Sequence, residues 1–203
     1  MIRIPRPRVL LLDLDNTLVD REAAFEAWAA ALVPPDLMPG IVAVDAGGYG
    51  PKLLLYRAVA RASGLSVAAA RESFLTDFAR YVRSRPDADA LLAAFGGPKV
   101  IVTNGLRRLQ RAKLVCAGLV GRVDHVCISD EVGAEKPDPA IFHAALACAG
   151  CGPEDALMIG DHPVNDIAGA LGVGIPAVFV RSRWFADPVG VPAVALLTEI
   201  AWA

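Results

Sequence analysis

The sequence predicts an α/β protein, a parallel sheet covered by helices on both faces with a small all-helical insert near its start. Three observations predict it. Five short apolar runs have the length and β-branched content of buried parallel strands. Segments of helical spacing separate those runs, and strand–helix–strand repetition builds a parallel sheet. Between Asp20 and about Pro86, by contrast, the chain carries helical signals only.

The runs are "RVLLLDLD" (Arg8 to Asp15), "KVIVTN" (Lys99 to Asn104), "HVCISD" (His125 to Asp130), "ALMIGD" (Ala156 to Asp161) and "PAVFV" (Pro176 to Val180). Helices are expected over Leu106–Ala117, stopped by Gly118, and over Pro139–Ala149, opened by proline and stopped by Gly150. A shorter one runs from Val164 to Leu171, ahead of Gly172. Within the helical block, Phe25, Trp28, Ala29 and Leu32 share one face, and Pro34 and Pro35 end that helix. "DAGGYGP" (Asp45 to Pro51) reads as a flexible loop. Helical spacing resumes over Lys52–Ser63 and Val67–Arg83, the latter with a stripe of Phe74, Phe78, Tyr81 and Val82. The layout is thus a Rossmann-like core of residues 1–19 and 87–203, with residues 20–86 as a helical cap over the sheet.

With 203 residues, 55% of them hydrophobic, the chain has ample material for one core. Every long apolar run is cut before the roughly 18 residues that a membrane span needs, and "VLLL" is too short for a signal-peptide core. A cytoplasmic protein without a membrane partner is expected. A net charge of −2 argues against nucleic acid held by bulk electrostatics. Arg107, Arg108, Arg111 and Lys113 form a basic run, read as the solvated face of one helix. Cys148 and Cys151 form a C-x-x-C, but no second pair completes a zinc set, so they read as core or helix-end residues.

Ligands of an open parallel sheet bind beyond the carboxyl ends of its strands. Four of the predicted strands end in polar residues: Asp13 and Asp15, Thr103 and Asn104, Ser129 and Asp130, and Asp161. Alone, Asp161 reads as a helix cap. Several acids converging on one edge repel one another unless a cation sits among them, and carboxylates with waters suit Mg²⁺.

Four motifs in fixed order then carry a resemblance. "DLDNT" (Asp13 to Thr17), "VTNG" (Val102 to Gly105), "KPDPAIF" (Lys136 to Phe142) and "GDHPVND" (Gly160 to Asp166) resemble the four motifs of the haloacid dehalogenase (HAD) superfamily, in its phosphatase branch. The helical insert stands where such families place a cap.

The resemblance implies a Mg²⁺-dependent phosphatase acting on a small phosphorylated metabolite. Asp13 would be the nucleophile that forms an aspartyl-phosphate, and Asp15 the general acid and then base. The metal would be held by the Asp13 and Asp161 carboxylates and the Asp15 carbonyl, with Asp166 supporting its waters or Lys136 from behind. Thr103, the Asn104 amide and Lys136 would hold the phosphoryl group and offset its charge. An Asp at position 15 favours phosphate-ester hydrolysis, since the family's dehalogenases lack it. A sugar phosphomutase, a dehalogenase, or a non-catalytic regulatory module on the same fold are the alternatives. Tyr49 and Lys52, in the cap loop, are candidates for substrate contact, as against a plain glycine-rich turn. His162 either faces the mouth of the site or is a loop histidine bonded to backbone. Trp184 and Phe185 are expected to pack the closing segment.

Overall fold

The computed structural model describes residues 1–203. The chain opens with β1 (Ile2–Ile4) and β2 (Val9–Leu12). Five helices follow: α1 (Arg21–Ala30), α2 (Met38–Asp45), α3 (Lys52–Ser63), α4 (Val67–Thr76) and α5 (Pro86–Ala94). Next come β3 (Lys99–Thr103), α6 (Arg107–Cys116), β4 (His125–Ile128), a short α7 (Ser129–Val132) and α8 (Pro139–Ala149). The last part holds β5 (Ala156–Gly160), α9 (Gly169–Gly172), β6 (Ala177–Val180), β7 (Ala193–Val194) and β8 (Ile200–Trp202).

Six strands form one parallel sheet in the order β4-β3-β2-β5-β6-β7, while β1 and β8 pair separately. From the central β2 the chain builds β3 and β4 to one side, then crosses to lay β5 against the other flank of β2. The crevice at the carboxyl ends of β2 and β5 is therefore the topological switch point. All five expected strands form, most of them ending short of their polar tails. Asp13, Asn104, Ser129 and Asp161 fall just past the last strand residue, free to face the crevice. β1, β7 and β8, two or three residues each, are too short to show a period.

Alternate residues of each strand feed opposite cores. Leu10, Leu12, Ile101, Ile159 and Val178 join one apolar cluster, and Val9, Leu11, Val100, Met158 and Phe179 join the other. Phe142 and Ala145 of α8 cover the second face. The helical block covers the first, its Phe25, Trp28, Phe74 and Phe78 belonging to the same cluster as Leu10 and Leu12.

The block differs from expectation in three places. α2 lies in a stretch without an expected helix, as does α5 just beyond the block. The helix expected over Val67–Arg83 breaks after Thr76, and a separate 3₁₀ turn forms over Phe78–Tyr81. At the break, the Ser73 hydroxyl donates to Asp77 and accepts from the Trp28 indole. The turn drives Phe78 inward, where Arg21 and Lys113 stack on its ring. Tyr81 accordingly leaves the apolar stripe for the surface. "DAGGYGP" is likewise no slack loop. Gly47 and Gly48 take φ of 67° and 101°, and a Cβ on either would collide with Trp184 or Arg21.

The segment expected as a helix over Val164–Leu171 forms as a π-helical turn, Pro163–Ala168, continued by α9. No single helix is long and apolar enough to cross a membrane. The four cysteines are free thiols, Cys148 and Cys151 at the end of α8.

Candidate active site

At the end of β2 the Asp13 amide still donates to Ile159 of β5, at 2.9 Å. Three residues on, Asn16 turns the chain with a φ of 60°, a left-handed conformation that Asn tolerates better than most residues. The two carboxylates of the "DLD" segment thus acquire different partners. Asp13 Oδ1 accepts from Lys136 Nζ at 2.6 Å, and Asp15 accepts from Lys113 Nζ at 2.6 and 2.9 Å.

Lys136 is the buried hub. Its ammonium donates to Asp13, to Asp166 Oδ1 at 2.6 Å and to the Val102 carbonyl at 2.7 Å. Its backbone is clamped by Asn104, whose side chain accepts from the Lys136 amide and donates to the Lys136 carbonyl. Asp166 completes its own set by accepting the His162 amide at 2.9 Å. The π turn brings Asp166 back so far that a Cβ on Gly160 would fall on its carboxylate, so only glycine fits there.

Carboxylate oxygens of Asp13, Asp161 and Asp166 lie within 4.8 Å of one another, all buried. One ammonium among three carboxylates leaves negative charge uncompensated. Burial pushes the Asp13 carboxyl up to about 7, opposed by Lys136 and reinforced by Asp166 and Asp15. Burial and the charges of Asp13 and Asp166 likewise raise Asp161 well above the usual carboxylate range. A dry, oxygen-only donor set carrying excess negative charge fits a hard divalent cation, Mg²⁺ in particular.

The residues expected from the sequence meet in one place. Asp13, Asp15, Tyr49, Thr103, Asn104, Lys136, His162 and Asp166 line a single cavity of about 140 Å³. Asp161 sits buried beside it, holding the Tyr49 hydroxyl at 2.9 and 3.0 Å. Lys52 does not reach this cavity; it lines an adjoining one. His162 combines its two readings: Nδ1 accepts the amides of Val164 and Asn165, while the ring packs edge-on to Tyr49. Phe185 packs against both rings, so it closes the wall of the site as well as its own segment. Trp184 donates to Glu22 of α1.

Three residues at the site escaped the sequence reading. Lys113 is buried rather than part of a solvated face; only Arg107, Arg108 and Arg111 of the basic run are exposed. On a helix, positions 107, 108 and 111 point one way while Gln110 and Lys113, three apart, share the other side with Leu109. That inward pairing was the available signal. Gln110 Nε2 donates to Thr103 Oγ1 at 2.6 Å and to Asp15 Oδ2 at 3.2 Å. Because the Thr103 oxygen accepts that bond, its own proton is free to point into the cavity. Asp15 is partly buried, which alone would raise its carboxyl, yet Lys113 and then Arg21 hold it below its ordinary value. Arg21 itself is locked to Asp45 through two bonds of 2.5 and 2.8 Å.

A sequence model described as a haloacid dehalogenase-like hydrolase matches residues 7–174. The chain belongs to that family. A phosphoserine phosphatase of Thermus thermophilus is 38% identical over 174 residues, covering 79% of this chain and 70% of that one. A phosphoglycolate phosphatase of Rhodospirillum rubrum is 30% identical over 214 residues, 96% of this chain and 88% of that one. Among solved structures, the fold matches Bacillus subtilis YfnB, determined with magnesium bound, at a TM-score of 0.81 and 22% identity over 96% of each chain. This member of the HAD family is a phosphatase, a hydrolase of phosphoric monoesters.

Proposed function

We propose that the protein is a Mg²⁺-dependent phosphatase that cleaves a small phosphorylated metabolite through an aspartyl-phosphate on Asp13. The observation that carries the reading is the Lys136 ammonium bridging Asp13 and Asp166 beside Asp161, at the switch point of the sheet. Magnesium would be held by the carboxylates of Asp13 and Asp161 and the carbonyl of Asp15, with Asp166 fixing the surroundings. When bound it supplies charge neutralisation for the phosphoryl oxygens.

The chain's own residues do the rest. An Asp13 carboxylate oxygen attacks phosphorus, and the bond to the leaving oxygen breaks on the opposite side. Asp15, ionised beside Lys113, takes up a proton as the phosphate dianion enters next to it, gives that proton to the leaving oxygen and then takes one from the water that hydrolyses the aspartyl-phosphate. Thr103 offers its free hydroxyl proton to a phosphoryl oxygen. The Asn104 side chain is committed to the Lys136 backbone, which leaves the Asn104 backbone N–H for the phosphoryl group. Lys136 offsets the charge of the phosphate and of the phosphorylated aspartate. Gln110 and Lys113 act one step back, orienting Thr103 and Asp15.

We assign residues 20–86 as the cap and 1–19 with 87–203 as the core. Tyr49 and His162 then close the mouth over the phosphate, and Lys52 faces the remainder of the substrate. The test is hydrolysis of p-nitrophenyl phosphate, with and without Mg²⁺, by the wild type and by Asp13→Asn. Turnover is expected only in the wild type with Mg²⁺; equal turnover by the variant would overturn the assignment of the nucleophile.

A further inference from the structure

Asp15 separates two cavities. On one side lies the phosphate cradle; on the other a second cavity of about 200 Å³ runs between the helical block and α6. Arg21, Gly48 and Asn104 also line both, so the two adjoin. If Asp15 protonates the leaving oxygen, as in the function proposed above, the leaving group must lie on this far side. Its volume, that of about six or seven waters at liquid density, admits a leaving alcohol of a few heavy atoms.

The walls are apolar, from Tyr56, Phe74 and Leu109, but the cavity is not neutral. Three cations meet two carboxylates around it. Arg21 is matched by Asp45 through two bonds, and Lys113 by both oxygens of Asp15. Lys52 is the cation left over. Its ammonium donates to the Gly48 carbonyl at 2.5 Å and stands 3.7 Å from Asp45 Oδ1, an oxygen that Arg21 already occupies. At 40% side-chain exposure it is the accessible one of the three, Arg21 and Lys113 being 4% exposed. Burial and the neighbouring Arg21 push the Lys52 ammonium down to about 8, with Asp45 opposing, as expected where positive charge is in excess.

We propose that this cavity is the leaving-group subsite and that it selects phosphomonoesters whose leaving alcohol carries a carboxylate, bound by the Lys52 ammonium. A carboxylate there would balance the unmatched charge and rest its carbon skeleton against Tyr56 and Leu109.

The test compares 3-phosphoglycerate with glycerol 3-phosphate, which differ by a carboxylate against a hydroxymethyl group. kcat/KM is measured in Mg²⁺ for the wild type, Lys52→Gln and Lys52→Arg, with p-nitrophenyl phosphate as the check on phosphatase chemistry. The wild type is expected to favour 3-phosphoglycerate by about ten-fold or more, the scale of one charge-assisted hydrogen bond. Lys52→Gln should lose most of that ratio, chiefly through KM, and Lys52→Arg should keep most of it. A wild type that treats the pair alike or favours glycerol 3-phosphate, or a ratio unmoved in Lys52→Gln, would overturn the subsite while p-nitrophenyl phosphate is still hydrolysed. Loss of p-nitrophenyl phosphate turnover in the wild type would instead remove the phosphatase function, and the subsite with it.

Discussion

The buried carboxylates make the metal-free protein unstable in a way that one substitution should reverse. Asp13 titrates near 3.8 when unfolded and at about 7 when folded, because burial and Asp166 outweigh Lys136. The folded state thus binds the extra proton between those values, and stability falls as pH rises through that window. The whole displacement corresponds to about 4 kcal/mol at 1.36 kcal/mol per pH unit. The part lying between pH 5 and pH 8 is about 3 kcal/mol, roughly 6–12 °C in Tm for a chain of this size. Asp13→Asn keeps the shape and the Lys136 contact but cannot ionise. In EDTA, the wild type should therefore melt lower at pH 8 than at pH 5 relative to the variant, which should be the more stable protein at pH 8. Taking the difference between the two proteins removes the opposite trend of His162, whose ring is held below its usual value by burial. Saturating Mg²⁺ should raise the wild type selectively at pH 8. Parallel Tm curves for the two proteins from pH 5 to pH 8 in EDTA would refute the account.

Lys113→Met should cost about ten- to a hundred-fold in kcat on an alkyl phosphate, the range of a mispositioned general acid. The loss on p-nitrophenyl phosphate, whose leaving group needs less protonation, should be smaller; equal losses would count against a positioning role. Tyr49→Phe frees both Asp161 oxygens from the cap hydroxyl, so Mg²⁺ affinity by calorimetry should tighten up to about ten-fold, one hydrogen bond to a charged group. An unchanged affinity would mean that the hydroxyl does not compete. Gly160→Ala places a methyl on the Asp166 carboxylate and should cost about 1–3 kcal/mol of stability, read as a lower Tm; a wild-type Tm would show that Asp166 moves aside freely.

The parallel sheet was legible because strands buried on both faces are continuous apolar runs, and here most of them stop at a polar residue facing the crevice. That same stop made Asp13, Asp15 and Asp161 visible as a group. What was hardest to read is whatever depends on the rotation of an element about its own axis. The basic residues of α6 look alike in sequence, yet Lys113 turns inward to Asp15 while Arg111 turns outward to Glu131. Ten residues with five apolar positions mark that rotation only weakly until Leu109 and Leu114 are seen against the core. The break after Thr76 was hidden for a related reason. It rests on the Ser73–Asp77 and Trp28–Ser73 bonds, and Trp28 comes from a helix far earlier in the chain.

The glycine pair at 47 and 48 shows why the helical block and the acidic cluster belong to one device. Trp184, tied to Glu22 of α1, presses on Gly47, and Arg21, tied to Asp45 at the end of α2, presses on Gly48. Neither contact leaves room for a Cβ, and both glycines sit at positive φ, so the turn has one available course. That course delivers Tyr49 to Asp161 and the Gly48 carbonyl to Lys52. A single turn thereby aims one residue at the acidic cluster and another at the cavity beyond Asp15. Anything that displaces it must alter the acidic cluster and the second cavity together. Selectivity and cation binding should accordingly change in concert when Gly48 is substituted, and separately when Tyr49 or Lys52 is.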